Sequence, residues 1–258
     1  MTCWLIKTEM AQNKSRSFPV EGDTTLKDNL VLMRYLDLAK FLDLISTKTL
    51  YVASSVDFED QLEGTLPEKI RELYENDPEI ANYYGSSSIQ CIEHKNRIKN
   101  NISCWTKGPK DNMALWKIYG NSKQSIAITT TFDKIVQSTL LWRNLSAVTF
   151  KEVVYIDHSG KLPDGIYTLG HNTFGLKHEA YSFENEVRMI VTRDSLKEPC
   201  PLRLKIRPND IIEKIIVSPE AGDWFYNLVS SVSKRYRINA PVEHSKLTEL
   251  IIKATYIN

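Results

Sequence analysis

The residues from Tyr181 to Val191 hold the sequence's most unusual chemistry: Glu184-Asn185-Glu186-Val187-Arg188 puts two carboxylates and a guanidinium at alternate positions of an apolar run. Read as a strand, the period of two sends Glu184, Glu186 and Arg188 to one face and Val187, Met189 and Val191 to the other. In a cleft, the proximity of two carboxylates raises the pKa of one while Arg188 opposes the rise. On an edge strand the same residues form a solvated face tied by cross-strand ion pairs. Spacing alone leaves both readings open. Arg34 ends a strand pattern, Val31-Leu32-Met33-Arg34-Tyr35, just ahead of a helix. There the planar guanidinium can grip a phosphate, although most lone arginines bury the stem and keep the charge in water. Ser103 and Thr106 flank Cys104-Trp105; their hydroxyls suit a ribose or phosphate oxygen, or a neighbouring carbonyl. Trp105, Trp116 and Tyr119 offer a wall for a planar ligand, and the helical spacing of Met113 and Trp116 fits a core face as well.

Metal chemistry has two weaker footholds. The acidic run Asp57-Phe58-Glu59-Asp60-Gln61-Leu62-Glu63-Gly64 lacks the alternation and central glycine of a calcium loop and reads as a helix entry. Asp57 and Asp60 with Glu184 and Glu186 around Mg²⁺ would make a metal-dependent nuclease or phosphoesterase. Cys91-x-x-His94 with Cys104 falls one ligand short of a zinc site. No metal is expected. The five histidines form no recognisable pair with a serine or cysteine, and there is no phosphate-binding glycine loop.

These residues need a frame. Val31–Tyr35 predicts a strand, Asp37 an N-cap, and Leu38, Phe41, Leu42 and Ile45 one helix face; a strand follows at Leu50–Ala53. Thr65-x-x-Glu68 is a capping-box pattern leading into Ile70, Leu73 and Tyr74, with a break at Asp77-Pro78 and a loop at Gly85–Ser88. A strand at Ile102–Thr106, a turn at Lys107–Pro109, and a helix capped by Asp111 and stopped by Gly120 come next. Strands are then predicted over 125–131, 147–156, 183–192, 202–206 and 215–217, with a helix over 221–236. Hairpin-length turns late in the chain point to an α+β fold with a mixed, mostly antiparallel sheet and helices concentrated in the N-terminal half. Residues 1–30 are expected as a polar N-terminal arm and 31–258 as a single domain, there being no repeat or composition break.

Composition narrows the partners. A net charge of +1, from 33 basic and 32 acidic residues, exerts no global pull on nucleic acid or anionic membrane. Four cysteines without a C-x-x-C read as free thiols in a reducing compartment. No run approaches the ~20 apolar residues of a membrane span. The expectation is a cytoplasmic protein without a membrane partner.

The order Arg34-Tyr35, Asp57–Asp60 with Glu63-Gly64, Met113-x-x-Trp116-x-x-Tyr119-Gly120 and Glu184-x-Glu186-x-Arg188 resembles a widespread uncharacterised family of bacterial and phage-associated proteins, over residues 31–247. An arginine on the first strand, a serine on a later one and Glu-x-Glu beyond also looks like the Arg–Ser–Glu pattern of mono-ADP-ribosyltransferases, which bind NAD in the cleft of a split mixed sheet. That resemblance implies an ADP-ribosyltransferase-like fold and an NAD-consuming enzyme, a transferase or a glycohydrolase, with a toxin or phage-defence role. Arg34, beside Tyr35, would hold the pyrophosphate or ribose side of NAD. Ser103 and Thr106 would support the nicotinamide pocket, with Trp105, Trp116 or Tyr119 against the ring. Glu186 would stand in the catalytic place, with Glu184 orienting or deprotonating an acceptor, whether protein, nucleic acid, small molecule or water. The usual Ser-Thr-Ser triplet reads Ser103-Cys104-Trp105-Thr106 here, so only the first hydroxyl maps. The competing expectation is a non-catalytic binding or defence-associated module.

Overall fold

The computed structural model describes residues 4–5 (backbone only), 18–78, 88–120, 123–160, 173–193 and 198–248. Its strands are Trp4–Leu5 (β1), Val20–Gly22 (β2), Val31–Asp37 (β3), Thr49–Ser54 (β4), Asn100–Lys107 (β5), Ser125–Thr131 (β6), Ala147–Glu152 (β7), Val154–Ile156 (β8), Leu176–His178 (β9), Glu186–Thr192 (β10), Leu202–Lys205 (β11), Lys214–Val217 (β12) and Val242–His244 (β13). Eleven of them share one sheet, in the order β1-β2-β7-β10-β5-β3-β6-β12-β13, with β4 on β5 and β11 on β4; β8 and β9 form a separate pair. The pairs β2–β7, β12–β13 and β8–β9 are parallel and the rest antiparallel. The protein is thus α+β with a mixed, mostly antiparallel sheet.

One edge of β5 is shared by two strands, and this shapes the molecule. Leu32 and Met33 of β3 pair with Lys107 and Thr106, whereas Ala53 and Ser54 of β4 pair with Ile102 and Asn101. Ser103, Cys104 and Trp105 lie between, unpaired on that side, and the sheet forks there. One arm continues through β3, β6, β12 and β13, the other through β4 and β11.

Alternation along the strands divides the core between the faces. Val187, Met189 and Val191 join Trp105, Leu32, Leu36, Ile126 and Ile128 beneath the helices Leu38–Thr47, Phe132–Ser138 and Asp223–Arg235. Met33, Tyr35 and Ala127 pack on the other face against Leu115 and Trp116, and Ile102 and Ile190 pack against Phe174. Each such large apolar side chain contributes about 1.5–3 kcal/mol when fully buried.

Local signals match in part. Asp37 caps the helix Leu38–Thr47, its Oδ1 accepting from the Lys40 N–H at 2.7 Å. The Thr65–Glu68 capping box does not form: the Thr65 hydroxyl donates to the Leu62 carbonyl and the helix Glu68–Asn76 begins after Pro67. Asn112, not Asp111, caps Met113–Tyr119, accepting from the Ala114 N–H; Asp111 instead accepts from the Trp116 indole. The helix Ile89–Lys99, capped by Ser88, has no counterpart in the predicted elements. Of the expected arm, Phe18, Val20 and Leu26 are buried and β2 pairs with β7, so its described portion belongs to the sheet; residues 6–17 lie outside the described residues. Helices occur in both halves of the chain, the longest at Asp223–Arg235. Among the described residues no helix is long and apolar enough to cross a membrane.

Candidate functional site

The fork opens into a cleft of about 650 Å³. Consecutive residues Met33–Asp37 of β3 and Cys104–Thr106 of β5 line it. Neighbours on a strand face opposite ways, so the hollow passes through the plane of the sheet between the arms. Its walls include Arg34, Tyr35, Trp105, Thr106, Tyr119, Glu184 and Glu186, seven of the nine side chains singled out in the sequence. Lys40, Asp43, Tyr51 and Arg203 stand on the same walls.

Arg34 bridges the fork. Nη1 donates to Ser103 Oγ at 3.0 Å, on the shared strand at the base of the fork, and Nη2 to the Tyr51 carbonyl at 3.1 Å, on the β4 arm. Its guanidinium lies 5.7 Å from the centre of the Trp105 ring. Burial pulls its pKa down from the ordinary arginine value, with Cys104 and Tyr51 opposing. Among the described residues no carboxylate is ion-paired with it, which leaves its charge for an anion in the cleft. Ser103 is fully buried and does not line the hollow. Its hydroxyl also accepts from the Trp105 indole at 3.0 Å, so its part is to anchor Arg34.

The carboxylates reach the cleft differently from the alternation expected. β10 begins at Glu186; Glu184 ends a 3₁₀ turn, Glu179–Glu184, and Asn185 between them is left-handed (φ 46°). Asparagine tolerates that conformation better than most residues. The His178 ring accepts from the Ala180 N–H at the head of the turn, and the Glu186 N–H donates to Tyr155 Oη at 2.9 Å. Glu184 and Glu186 therefore share the cleft without sharing a strand face.

Behind them lies a buried charge cluster. Arg188, with no exposed surface, donates to both oxygens of Glu63 at 2.6 Å each, to Glu186 Oε2 at 2.9 Å and to the Phe174 carbonyl at 2.9 Å. Lys177 pairs with Glu184 Oε2 and stands 3.6 Å from Glu63 and 3.7 Å from Glu186. Tyr119 donates to Glu184 Oε1 at 2.5 Å. Burial alone would raise the Glu186 pKa, but Arg188 and Lys177 outweigh it and hold the carboxyl below its ordinary value. Burial and the charge of Glu186 push Glu184 above its own, against the pull of Lys177 and Tyr119. The fold thus separates two neighbouring carboxylates into a fixed anion and a weaker acid. Burial, with Glu186, also pushes the Cys104 thiol up, which keeps it a thiol rather than a nucleophilic thiolate.

Glu63 and Lys177 were not expected. Glu63 sits in a turn closed by Gly64, whose φ is 74° and whose added Cβ would fall 2.5 Å from the Phe174 ring. Arg97 holds that turn by donating to the Glu63 carbonyl at 2.5 Å and the Gln61 carbonyl at 2.9 Å. The Glu-Gly pair at the end of the acidic run was the available signal. Lys177, on β9, had none.

Other expectations are corrected. Trp116 lies outside the cleft, buried edge-on against Tyr35 at 4.9 Å between ring centres. Trp105 lines the wall but is only 2% exposed, so it supports Arg34 and offers no open stacking face. Tyr119, 40% exposed, and Tyr51, 39% exposed, are the aromatic rings of the cleft wall most open to a ligand. Tyr35 Oη accepts from the Asn112 N–H at 3.0 Å. Asp57 is exposed and Asp60 accepts from its own turn, so neither joins the carboxylate group, which already surrounds Lys177 and Arg188. Among the described residues no three His, Cys, Asp or Glu are arranged to hold a metal ion, and Cys91, Cys104 and Cys200 are free.

Comparison with protein-family models, with curated proteins and with solved structures finds no match for this chain.

Proposed function

We propose that this protein is an NAD-consuming enzyme of ADP-ribosyltransferase-like architecture, which breaks the nicotinamide–ribose bond in the cleft at the fork. One observation carries the reading: Arg34, without a carboxylate partner among the described residues, and Glu186, held as an anion, line the same hollow from strands far apart in sequence. Loss of nicotinamide develops positive charge on the ribose, and a fixed carboxylate facing the anomeric carbon stabilises it. Arg34 offsets the pyrophosphate. A cleft of about 650 Å³ falls within the ~300–1,000 Å³ of ordinary ligand sites. Tyr119 is the ring placed to face the nicotinamide, and Glu184, the weaker acid, takes the acceptor's proton.

A second reading has its own observation. Glu63, Lys177, Glu184, Glu186 and Arg188 are all nearly fully buried and mutually paired, as in a structural network of a non-catalytic module. Chromatographic assay of nicotinamide released from millimolar NAD separates the two. The enzyme reading expects release by the wild type, undiminished by a chelator and lost in Glu186→Gln with its circular dichroism intact. Equal release, or none, from both proteins would favour the structural network.

A further inference from the structure

We infer that the acceptor of the ADP-ribosyl group is a neutral hydroxyl, water or an alcohol, and not a cationic guanidinium; the inference rests on the NAD-consuming reading above. A guanidinium acceptor needs a carboxylate with both oxygens free for its two-pronged hydrogen bond and a negative charge to neutralise its own. Glu184, the carboxylate placed to meet an acceptor, offers neither. Tyr119 donates to Oε1 at 2.5 Å, and Lys177 is bonded to Oε2. Lys177 lies behind the cleft wall at only 6% exposure, so an incoming ligand does not readily displace it. The other carboxylates are also engaged: on the cleft wall Asp43 pairs with Arg203 and Asp37 with Lys40, while in the buried cluster Glu186 Oε2 accepts from Arg188 and Glu63 is clamped by Arg188 through both oxygens. Three carboxylates thus face two buried cations, leaving one net negative charge, which the developing ribosyl cation at Glu186 takes up.

What Glu184 retains is basicity. Each of its oxygens keeps a lone pair beside the bond already made, and its raised pKa suits it to accept a proton. Tyr119, exposed at its ring and bonded to Glu184 at its hydroxyl, links the open cleft to that carboxylate. In the step, the bond from C1′ to the nicotinamide nitrogen breaks and the nitrogen keeps the electron pair. A lone pair of the acceptor oxygen forms the new bond to C1′. The acceptor's proton passes to the Tyr119 oxygen as Tyr119 gives its own to Glu184, and from there to solvent. NAD and ROH become the O-linked ADP-ribose, neutral nicotinamide and a proton, with R a hydrogen atom in hydrolysis.

The test is product analysis by mass spectrometry, with the full-length protein and NAD in three parallel reactions: buffer alone, buffer with methanol, and buffer with agmatine as the guanidinium probe. The inference expects ADP-ribose in buffer, an O-methyl ADP-ribose growing in proportion to methanol, and less than about one part in a hundred of agmatine adduct. Tyr119→Phe should lower nicotinamide release at least tenfold while leaving affinity for ADP-ribose within about twofold. Accumulation of ADP-ribosyl-agmatine overturns the acceptor assignment and leaves the NAD reading standing. An undiminished rate in Tyr119→Phe overturns it too. No nicotinamide release in any of the three reactions overturns both together.

Discussion

At the scale of single residues, the site works by giving two adjacent carboxylates different surroundings. Glu186 is held ionised by Arg188 and Lys177 against its own burial, so its contribution to stability is present above the ordinary carboxylate value of 4.5 and is lost as pH falls through its lower folded value. Thermal unfolding should show Glu186→Gln less stable than wild type near neutrality, with the gap narrowing only below the ordinary carboxylate value and closing as pH falls through the lower folded one. Glu184 has the opposite sign. Its pKa is raised, so its protonated form is the one the fold favours, and the stability this confers is present below 4.5 and lost as pH rises through the folded value. In the proposed reaction Glu184 acts in its ionised form, so nicotinamide release should fall as pH drops through a value above the ordinary 4.5. That limb of the rate profile should be missing in Glu184→Gln; an unchanged limb would assign the ionisation elsewhere. Under the proposed NAD-consuming function, Glu186→Gln should lose on the order of 10²–10³ in kcat, the loss seen when one preorganised electrostatic contact to a transition state is removed.

At the scale of elements, turns do more of the positioning than strand alternation suggests. The period of two placed Val187, Met189 and Val191 in the core, as the sequence implied, yet the same rule put Glu184 on a strand that starts two residues later. Single-residue αL geometry at Asn185 is not written in hydrophobic pattern, so it was not legible. Strand and helix identities were legible wherever apolar periodicity was long: Asp37 with its helix, Ser125–Thr131, and Asp223–Arg235 with Phe225 and Val229 inward. Lys177 was hidden, and Glu63 was visible only as a Glu-Gly pair without a role, because both reach the site through long-range packing, through a two-stranded pair and a glycine turn. Gly64 is therefore a testable hinge of the argument. Gly64→Ala forces a side chain into a left-handed backbone and against Phe174, and calorimetry should show a loss of about 1–3 kcal/mol. Trp116 gives the converse case. As a core residue outside the cleft, its replacement by Phe should lower Tm while leaving affinity for NAD within about twofold; a large loss of affinity without loss of stability would return Trp116 to the binding wall.

At the scale of the molecule, the fork in the sheet is what brings chemistry together. A sheet closed along β5 would bury residues 103–105 in a continuous ladder, and Arg34 would have no opening to face. Because β3 and β4 share that edge, the guanidinium spans the gap and lines the same cleft as a fixed carboxylate. The sequence carried the residue types and their order, but the sharing of one strand edge by two partners depends on long-range pairing that no local pattern encodes. The most direct measurement is a crystal structure of the protein with bound ADP-ribose. The account predicts the pyrophosphate within hydrogen-bonding distance of Arg34 and the ribose that bore the nicotinamide turned toward Glu186. A ligand seated away from the fork, or one whose phosphates avoid Arg34 while Glu186 faces only Arg188 and Lys177, would contradict it.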